Sequence, residues 1–164
     1  MTEKLIIADY LLPCLPSDLF VDQFGFGATG STTCALIDIT HVVSQLLENN
    51  KYVRCPMIDF TKVFDTIDHL FLLKKLGAFG LPPLIVKWVV DFLTGRSQST
   101  KLGQSLSNWL IINRNIIQGS GLGPMLFIIY AEYLKAIGVT NHLWKYADDT
   151  SLLVPEHCDV SLEQ

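Results

Sequence analysis

The segment after Gly30 carries apolar residues at helical spacing. They recur at positions that share one face of a helix, namely Leu36, Ile39, Val43, Leu46 and Leu47. Ser31 or Thr32 supplies a hydroxyl group for the N-cap, and Asn49-Asn50 is a typical helix end. The pattern therefore predicts a helix between these two signals.

Two more helices are predicted in the middle of the chain. The first begins with Asp68 as its N-cap and ends at Gly80, with an apolar face of Leu72, Leu73, Leu76 and Phe79. The second begins at Pro82-Pro83, because proline is favoured in the first turn of a helix, and ends at Thr94-Gly95. Its apolar face is formed by Ile85, Trp88, Val89, Phe92 and Leu93.

Strands are predicted where short apolar runs are bounded by turn residues. Tyr52 to Phe60 is typical of a buried strand that ends near Asp59. Residues 97–102 and 109–112 form a strand pair around Gly103-Gln104. Residues 143–147 and 150–154 flank Asp148-Asp149, which predicts a hairpin with two carboxylates at its tip.

Proline and glycine predict loops in two places. Leu5 to Phe20 is apolar but contains Pro13 and Pro16, so the pattern favours a loop with short extended pieces. The second place is residues 119–124, a glycine-rich loop that runs into a helix with Pro124 at its first position.

Composition favours one globular core. Of the 164 residues, 49% are hydrophobic and 17% are charged, which is too apolar for a disordered tail. The net charge of −4 argues against a protein that binds nucleic acid by neutralising phosphates. The four cysteines lack metal-ligand spacing, and no secretion signal or membrane span is visible, so we expect a reduced, non-secreted protein.

Three aspartates are candidates for chemistry. Asp59 ends one predicted strand, and Asp148 and Asp149 lie at a predicted turn, so folding is able to bring them together. Carboxylate oxygens suit Mg²⁺, which takes one or two carboxylates and coordinates substrate phosphates. Spacing alone leaves another interpretation open, because two aspartates at a turn usually serve the turn and remain solvated.

Several motifs, in order, resemble those of reverse transcriptases, and most of all those of non-LTR (LINE-type) retrotransposons. The three principal ones are IDFTKVFDTIDH at 58–69, QGSGLGP at 118–124 and YADD at 146–149. QFGF at 23–26 and the residues between the motifs also match. The likeness extends from about Leu11 to Pro155, and the ordered set is far more specific than the four-residue YADD string.

The resemblance implies an α+β fold, the palm of a right-hand polymerase with partial fingers. An antiparallel sheet would pack on helices, and the thumb would be missing. Residues 1–50 would form a partial fingers segment and residues 51–164 the palm with inserted helices. The implied activity is RNA-directed DNA polymerisation, in which a primer 3′-hydroxyl attacks a deoxynucleotide and pyrophosphate leaves.

The resemblance also implies the metal site. Asp59, Asp148 and Asp149 would be the catalytic carboxylates that bind metal, and the Phe60 carbonyl would complete the ligand set. The implied cofactor is Mg²⁺, with Mn²⁺ as a substitute.

Further residues would contact substrates. Phe64 would lie under the sugar of the incoming dNTP and reject a ribose, and Gln118 and Gly119 would lie against the nascent base pair. Contacts to the DNA primer and RNA template would come from Tyr146, Lys62 and Arg96. Such an enzyme acts inside the cell, in the nucleus or cytoplasm, without a membrane.

The sequence departs from the family pattern in places. Gly27 stands where many relatives carry a basic residue, and Asn115 replaces a glycine. Asparagine tolerates left-handed backbone, so we expect Asn115 to keep that turn. These departures leave an alternative open: a catalytically inactive remnant that acts at most as a binding or scaffold module. An unrelated Mg²⁺-dependent phosphohydrolase is a third interpretation, disfavoured by the ordered motifs.

Overall fold

A computed structural model describes residues 2–26 and 30–159 of the chain. Residues 1–16 and 62–130 form one compact unit, and residues 17–61 and 131–164 form a second. Gly27, the departure noted above, lies outside the described residues. The units reflect which residues pack together, so the division into a fingers segment and a palm at residue 50 stays a prediction.

The described residues contain both helices and antiparallel strands, so the coarse α+β prediction is confirmed. The α-helices are α1 (Thr2–Ile6), α2 (Thr32–Leu47), α3 (Val63–Thr66), α4 (His69–Ala78), α5 (Pro83–Leu93) and α6 (Gly123–Tyr130). The strands are β1 (Val53–Arg54), β2 (Met57–Ile58), β3 (Arg96–Gln98), β4 (Lys101–Leu102), β5 (Ser105–Leu106), β6 (Leu110–Ile112), β7 (His142–Tyr146) and β8 (Asp149–Pro155).

Helix α2 confirms the first predicted helix and its cap. The Ser31 hydroxyl accepts a hydrogen bond from the Cys34 N–H at 3.0 Å. Of the predicted apolar face, Ile39, Val43 and Leu46 are half-buried as expected, whereas Leu36 and Leu47 are exposed and Ala35 is buried. Trp144 Nε1 of β7 donates to Asp38 Oδ2 of α2 at 2.6 Å, which ties the helix to the sheet of the second unit.

Helices α4, α5 and α6 form most of the core of the first unit. Both predicted boundary glycines, Gly80 and Gly95, have the left-handed backbone that ends a helix, with φ of 68° and 66°. Helix α6 is apolar on all sides, and residues 125–129 are all buried. Pro124 is the second residue of α6 and not the first as predicted, because the helix begins one residue earlier, at Gly123.

The prediction of a loop for Leu5 to Phe20 is wrong. This stretch forms α1, a π-helical turn at Ile7–Leu11 and 3-10 turns at Leu12–Cys14 and Ser17–Phe20. Pro13 lies in a 3-10 turn that directly follows the π-helical turn, so the helical run continues through this proline. Leu11 and Leu15, four residues apart, are buried, so a helical pattern was present despite the prolines.

The strand predicted for Tyr52 to Phe60 is broken and exposed rather than buried. Strands β1 and β2 both pair antiparallel with β8 in one register, interrupted at Cys55-Pro56. They lie at the sheet edge, because β8 pairs with β7 on its other side. Met57 is 83% exposed although its sequence context is apolar.

The strand pair predicted around Gly103-Gln104 is confirmed. Strand β3 pairs with β6, and β4 pairs with β5 around the predicted turn. Asn115, which follows this pair, has a φ of 97°, so it holds left-handed backbone as expected. The buried His69 ring fixes this turn, since its Nε2 lies 2.7 Å from the Asn115 carbonyl oxygen.

The Asp68 cap makes a pH-dependent contribution to stability. Its Oδ1 accepts a hydrogen bond from the Phe71 N–H at 3.0 Å, and this bond lowers the pKa of Asp68 below its ordinary value of 3.8. A lowered carboxylate pKa contributes stability above the unfolded-state pKa, and that contribution is lost as pH falls through the folded-state pKa.

We therefore expect the charged cap to stabilise the wild type over Asp68→Asn fully above about pH 4, and this advantage to be lost as pH falls further, through the lowered pKa of Asp68. Asparagine still caps the helix but does not titrate, so the difference in unfolding free energy should vanish toward lower pH. Urea denaturation at a series of pH values measures this difference, with Asp91→Asn on α5 as the control carboxylate. A wild-type advantage that does not change with pH would contradict the prediction.

Candidate active site

The three candidate aspartates lie at one end of the sheet in the second unit. Strand β2 ends at Ile58, which pairs with Thr150, so Asp59 follows at the end of the sheet where Asp149 begins β8. Tyr146 pairs with Asp149 across the hairpin, which leaves Ala147 and Asp148 as its two-residue tip. The structure thus brings together aspartates that are almost 90 residues apart in the chain.

The hairpin differs from its prediction in one detail. Asp148 lies at the tip, but Asp149 is the first residue of β8 rather than part of the turn. The other tip residue is Ala147, whose φ of 56° is in the left-handed region. The favoured two-residue hairpin turns need such backbone. Glycine and asparagine adopt it readily, whereas other residues adopt it at a cost in conformational energy.

The donor chemistry of these aspartates suits a hard divalent cation. Asp59 and Asp149 are exposed and Asp148 is half-buried, so their carboxylates remain accessible. Within residues 2–26 and 30–159, no three His, Cys, Asp or Glu side chains are grouped as a metal site. Any metal bound here would therefore depend on fewer carboxylates, on water and on substrate oxygens, as is usual for Mg²⁺.

A buried glutamine holds the hairpin tip. Gln23 is only 5% exposed, and its Oε1 accepts hydrogen bonds from the Ala147 N–H at 3.0 Å and the Gly25 N–H at 2.9 Å. Gln23 belongs to the QFGF motif at 23–26, which matches the family pattern but predicts no role for this residue. Nothing in the local pattern revealed the contact, because Gln23 and Ala147 are 124 positions apart.

A buried lysine lies next to the same hairpin tip. Lys145 is 3% exposed, and its Nζ lies 3.0 Å from Asp22 Oδ1 and 3.0 Å from the Leu134 carbonyl oxygen. Burial lowers the pKa of Lys145, while the hydrogen bond and charge of Asp22 raise it and offset part of the effect. The positive charge of Lys145 is thus paired within the protein, with the Asp22 carboxylate.

In the first unit, Gln118 and Arg96 line one polar cleft of about 420 Å³, together with Asp65 and Asn115. The Gln118 amide lies 3.4 Å from Asp65 Oδ1. Arg96 donates to the Phe92 carbonyl at 3.2 Å, and its guanidinium lies 5.7 Å from the centre of the Phe92 ring. Two candidate substrate-binding residues are therefore brought together here.

The glycine-rich loop beside this cleft is partly occupied by a carboxylate that sequence analysis did not foresee. Glu3 Oε2 accepts hydrogen bonds from the N–H groups of Gly121 at 2.6 Å and Leu122 at 3.2 Å. Gly119, in the same loop, has a φ of 80°, which explains why glycine stands there.

The remaining candidates are placed as follows. Phe64 is half-buried, with its ring centre 4.9 Å from that of Phe127. Lys62 is exposed with a φ of 52° at the start of α3, and Tyr146 is 38% exposed at the end of β7. Phe60 is half-buried directly after Asp59. Their roles toward metal, nucleotide, primer and template stay predictions.

Comparison with known proteins identifies the family. The sequence matches the family described as reverse transcriptase (RNA-dependent DNA polymerase) over residues 3–164, nearly the whole chain. The chain belongs to the reverse transcriptase family. This confirms the resemblance drawn from the ordered motifs.

Two insect relatives show how much of a polymerase the chain represents. It is 26% identical over 96% of its length to a probable RNA-directed DNA polymerase from transposon BS of Drosophila melanogaster. It is 28% identical over 84% of its length to the RNA-directed DNA polymerase from mobile element jockey of Drosophila funebris. The chain spans only 17% and 16% of these two relatives.

Solved structures show the same fold. A structure of telomerase from Candida tropicalis, in complex with a TWJ fragment of telomeric RNA, matches 94% of this reverse transcriptase chain with a TM-score of 0.68 at 11% identity. The corresponding structure from Candida albicans matches 94% with a TM-score of 0.66 at 12% identity. The chain covers 28% and 32% of those two telomerase chains.

Among the described helices of this chain, none has the length and apolarity needed to cross a membrane.

Proposed function

We propose that this chain supplies the catalytic carboxylates of an RNA-directed DNA polymerase. The reaction is transfer of a nucleotide from a dNTP to a primer 3′-hydroxyl, directed by an RNA template. The observation that carries the proposal is the placement of Asp59, Asp148 and Asp149 at one end of one sheet. The family membership gives that placement its chemical meaning.

Reverse transcriptases in general use divalent metal ions, and here the proposed ion is Mg²⁺, with Mn²⁺ as a substitute. Asp59 and Asp148 would hold it, with Asp149 beside them and the Phe60 carbonyl completing the set. When bound, such an ion supplies positive charge near the transferring phosphate. The aspartates would hold that charge in a fixed position. Because they lie next to solvent, there is room for a nucleotide.

Other residues of the chain would position the substrates. Gln118 and Arg96 present an amide and a guanidinium to one cleft, which supports contacts to the nascent base pair and to template or primer phosphates. Gly119 and Lys62 would add backbone and charge contacts to the same substrates. Phe64 rests on Phe127, which would hold its ring rigidly against the nucleotide sugar. Tyr146, partly exposed next to the hairpin tip, would contact the primer end.

Residues 51–164, which include the sheet around β8, are the proposed palm with inserted helices, and residues 1–50 are the proposed partial fingers segment. RNA template, DNA primer and dNTP are the proposed partners, inside the cell. An inactive remnant is not favoured, because all three carboxylates are present and lie at one sheet end.

The decisive experiment is primer extension by a chimera in which residues 1–164 replace the matching segment of the jockey polymerase. We expect incorporation of dTTP on a homopolymer adenine RNA template with a DNA primer and Mg²⁺ or Mn²⁺. Addition of a chelator should stop it. The unmodified jockey polymerase is the positive control. A chimera that folds and binds template and primer but adds no nucleotide would refute the proposal.

A further inference from the structure

The segment that carries Gln23 forms an additional edge on strand β7. The Lys145 N–H donates to the Asp22 carbonyl at 2.7 Å, and the Phe24 N–H donates to the Lys145 carbonyl at 2.7 Å. Gln23 and Lys145 form a parallel bridge. This backbone pairing places the Gln23 side chain beside the residues that follow Lys145, which are those of the hairpin tip.

The Gln23 amide contacts both backbone groups of Ala147. Oε1 accepts from the Ala147 N–H at 3.0 Å, and Nε2 lies 3.5 Å from the Ala147 carbonyl oxygen, a longer and weaker contact. Gly25 donates to the same Oε1 at 2.9 Å. Since Gln23 is 5% exposed, water does not replace these bonds readily, and their loss would leave polar groups unpaired.

Gly25 shows how closely the segment approaches the tip. A side chain at Gly25 would collide with the backbone nitrogen of Ala147. Only glycine therefore permits this approach, and the approach brings the Gln23 amide within hydrogen-bond distance of the tip.

Ala147 needs such support because of its backbone. With φ at 56°, it adopts a left-handed conformation that is unfavourable for an alanine. Asp148 follows directly, so the conformation of Ala147 sets the direction in which the Asp148 side chain leaves the hairpin. A tip without external hydrogen bonds would sample other conformations and would carry the Asp148 carboxylate with it.

We infer that Gln23 is a positioning residue for Asp148: its buried amide fixes the strained Ala147 turn and thereby the orientation of the Asp148 carboxylate. The metal-related part of this inference rests on the proposed function, whereas the effect on the turn does not. Removal of a group that orients a metal ligand typically weakens metal binding by 10–100-fold.

The test replaces the amide in the 164-residue chain while keeping side-chain length and burial. Gln23→Met removes the acceptor, and Gln23→Glu keeps an acceptor oxygen. Gln45→Met is the matched control, because Gln45 is exposed on α2 of the same unit. Two quantities are measured under conditions where each variant is folded: hydrogen exchange of the Ala147 amide by NMR, and the affinity for Mn²⁺ alone by EPR titration.

We expect Gln23→Met to exchange the Ala147 amide about tenfold faster, the effect of losing one typical hydrogen bond. Mn²⁺ should bind at least about tenfold more weakly. Gln23→Glu should restore the slow exchange, and Gln45→Met should match the wild type in both measurements.

The outcomes separate this inference from the proposed function. A wild-type chain that binds no Mn²⁺ would count against the proposed metal site, while the Ala147 exchange would still report on the turn. A Gln23→Met variant with wild-type Mn²⁺ affinity would overturn the positioning role, whether or not its Ala147 amide exchanges faster. Unchanged Ala147 exchange would overturn the inference directly.

Discussion

Replacing Asp148 with asparagine in the chimera should reduce nucleotide incorporation by at least about 10²-fold. Asparagine has nearly the same size as aspartate, so the hairpin tip keeps its shape. The substitution removes a negative charge from the sheet end where Asp59 and Asp149 also lie. The measurement is single-turnover primer extension with enzyme in excess over primer, so that primer dissociation does not limit the signal.

The control for Asp148 is Asp91→Asn, which removes an equal charge from an exposed position on α5. It should leave the incorporation rate within about twofold of the parent, since surface substitutions away from a site have small effects. Circular dichroism spectra of both variants should match that of the parent. If Asp148→Asn retains the parental rate, the assignment of Asp148 as a catalytic carboxylate fails.

The second large effect is expected in the core of the first unit. Leu126 is fully buried on α6, whose neighbouring residues are also buried, so Leu126→Ala leaves a cavity that the helix is poorly able to fill. Substitutions of this kind cost about 2–5 kcal/mol of unfolding free energy. Urea denaturation of the 164-residue chain, followed by far-UV circular dichroism, measures the loss.

Leu84→Ala gives the matched comparison. Leu84 lies on α5 of the same unit but is 75% exposed, so the same chemical change should alter the unfolding free energy by less than about 0.5 kcal/mol. Equal effects of the two substitutions would contradict the burial assigned to α6.

Local sequence signals predicted the helices well because caps and stops act within a few residues. Ser31 and Asp68 both accept the hydrogen bond expected of an N-cap, and Gly80 takes the left-handed backbone that ends α4. The loop predicted for the N-terminal stretch depends on proline as a helix breaker, whereas the helical run continues through Pro13 and ends at Cys14.

Properties set by distant parts of the chain were less predictable. The apolar run around Met57 indicates a strand but carries no information about whether that strand lies at a sheet edge. The family resemblance predicts Asp59, Asp148 and Asp149 as candidate carboxylates. Their position at one end of the sheet depends on the pairing of strands that are distant in the sequence. The contact between Gln23 and Ala147 has no local signature, because it depends on a bridge to Lys145 formed only in the folded sheet.

The discontinuity of the two units has a consequence for synthesis on the ribosome. Strand β2, before Asp59, pairs with β8, which is synthesised about 90 residues later. At typical elongation rates β2 therefore remains unpaired for roughly 5–20 s. The interval between the synthesis of Gln23 and that of Ala147 is longer still, because they lie farther apart in the sequence. In the meantime the intervening helices α4 and α5 are complete and able to pack with each other. The carboxylate end of the sheet therefore assembles only after residue 149 has been synthesised, later than the pair of α4 and α5, and a chain terminated before that residue would lack it.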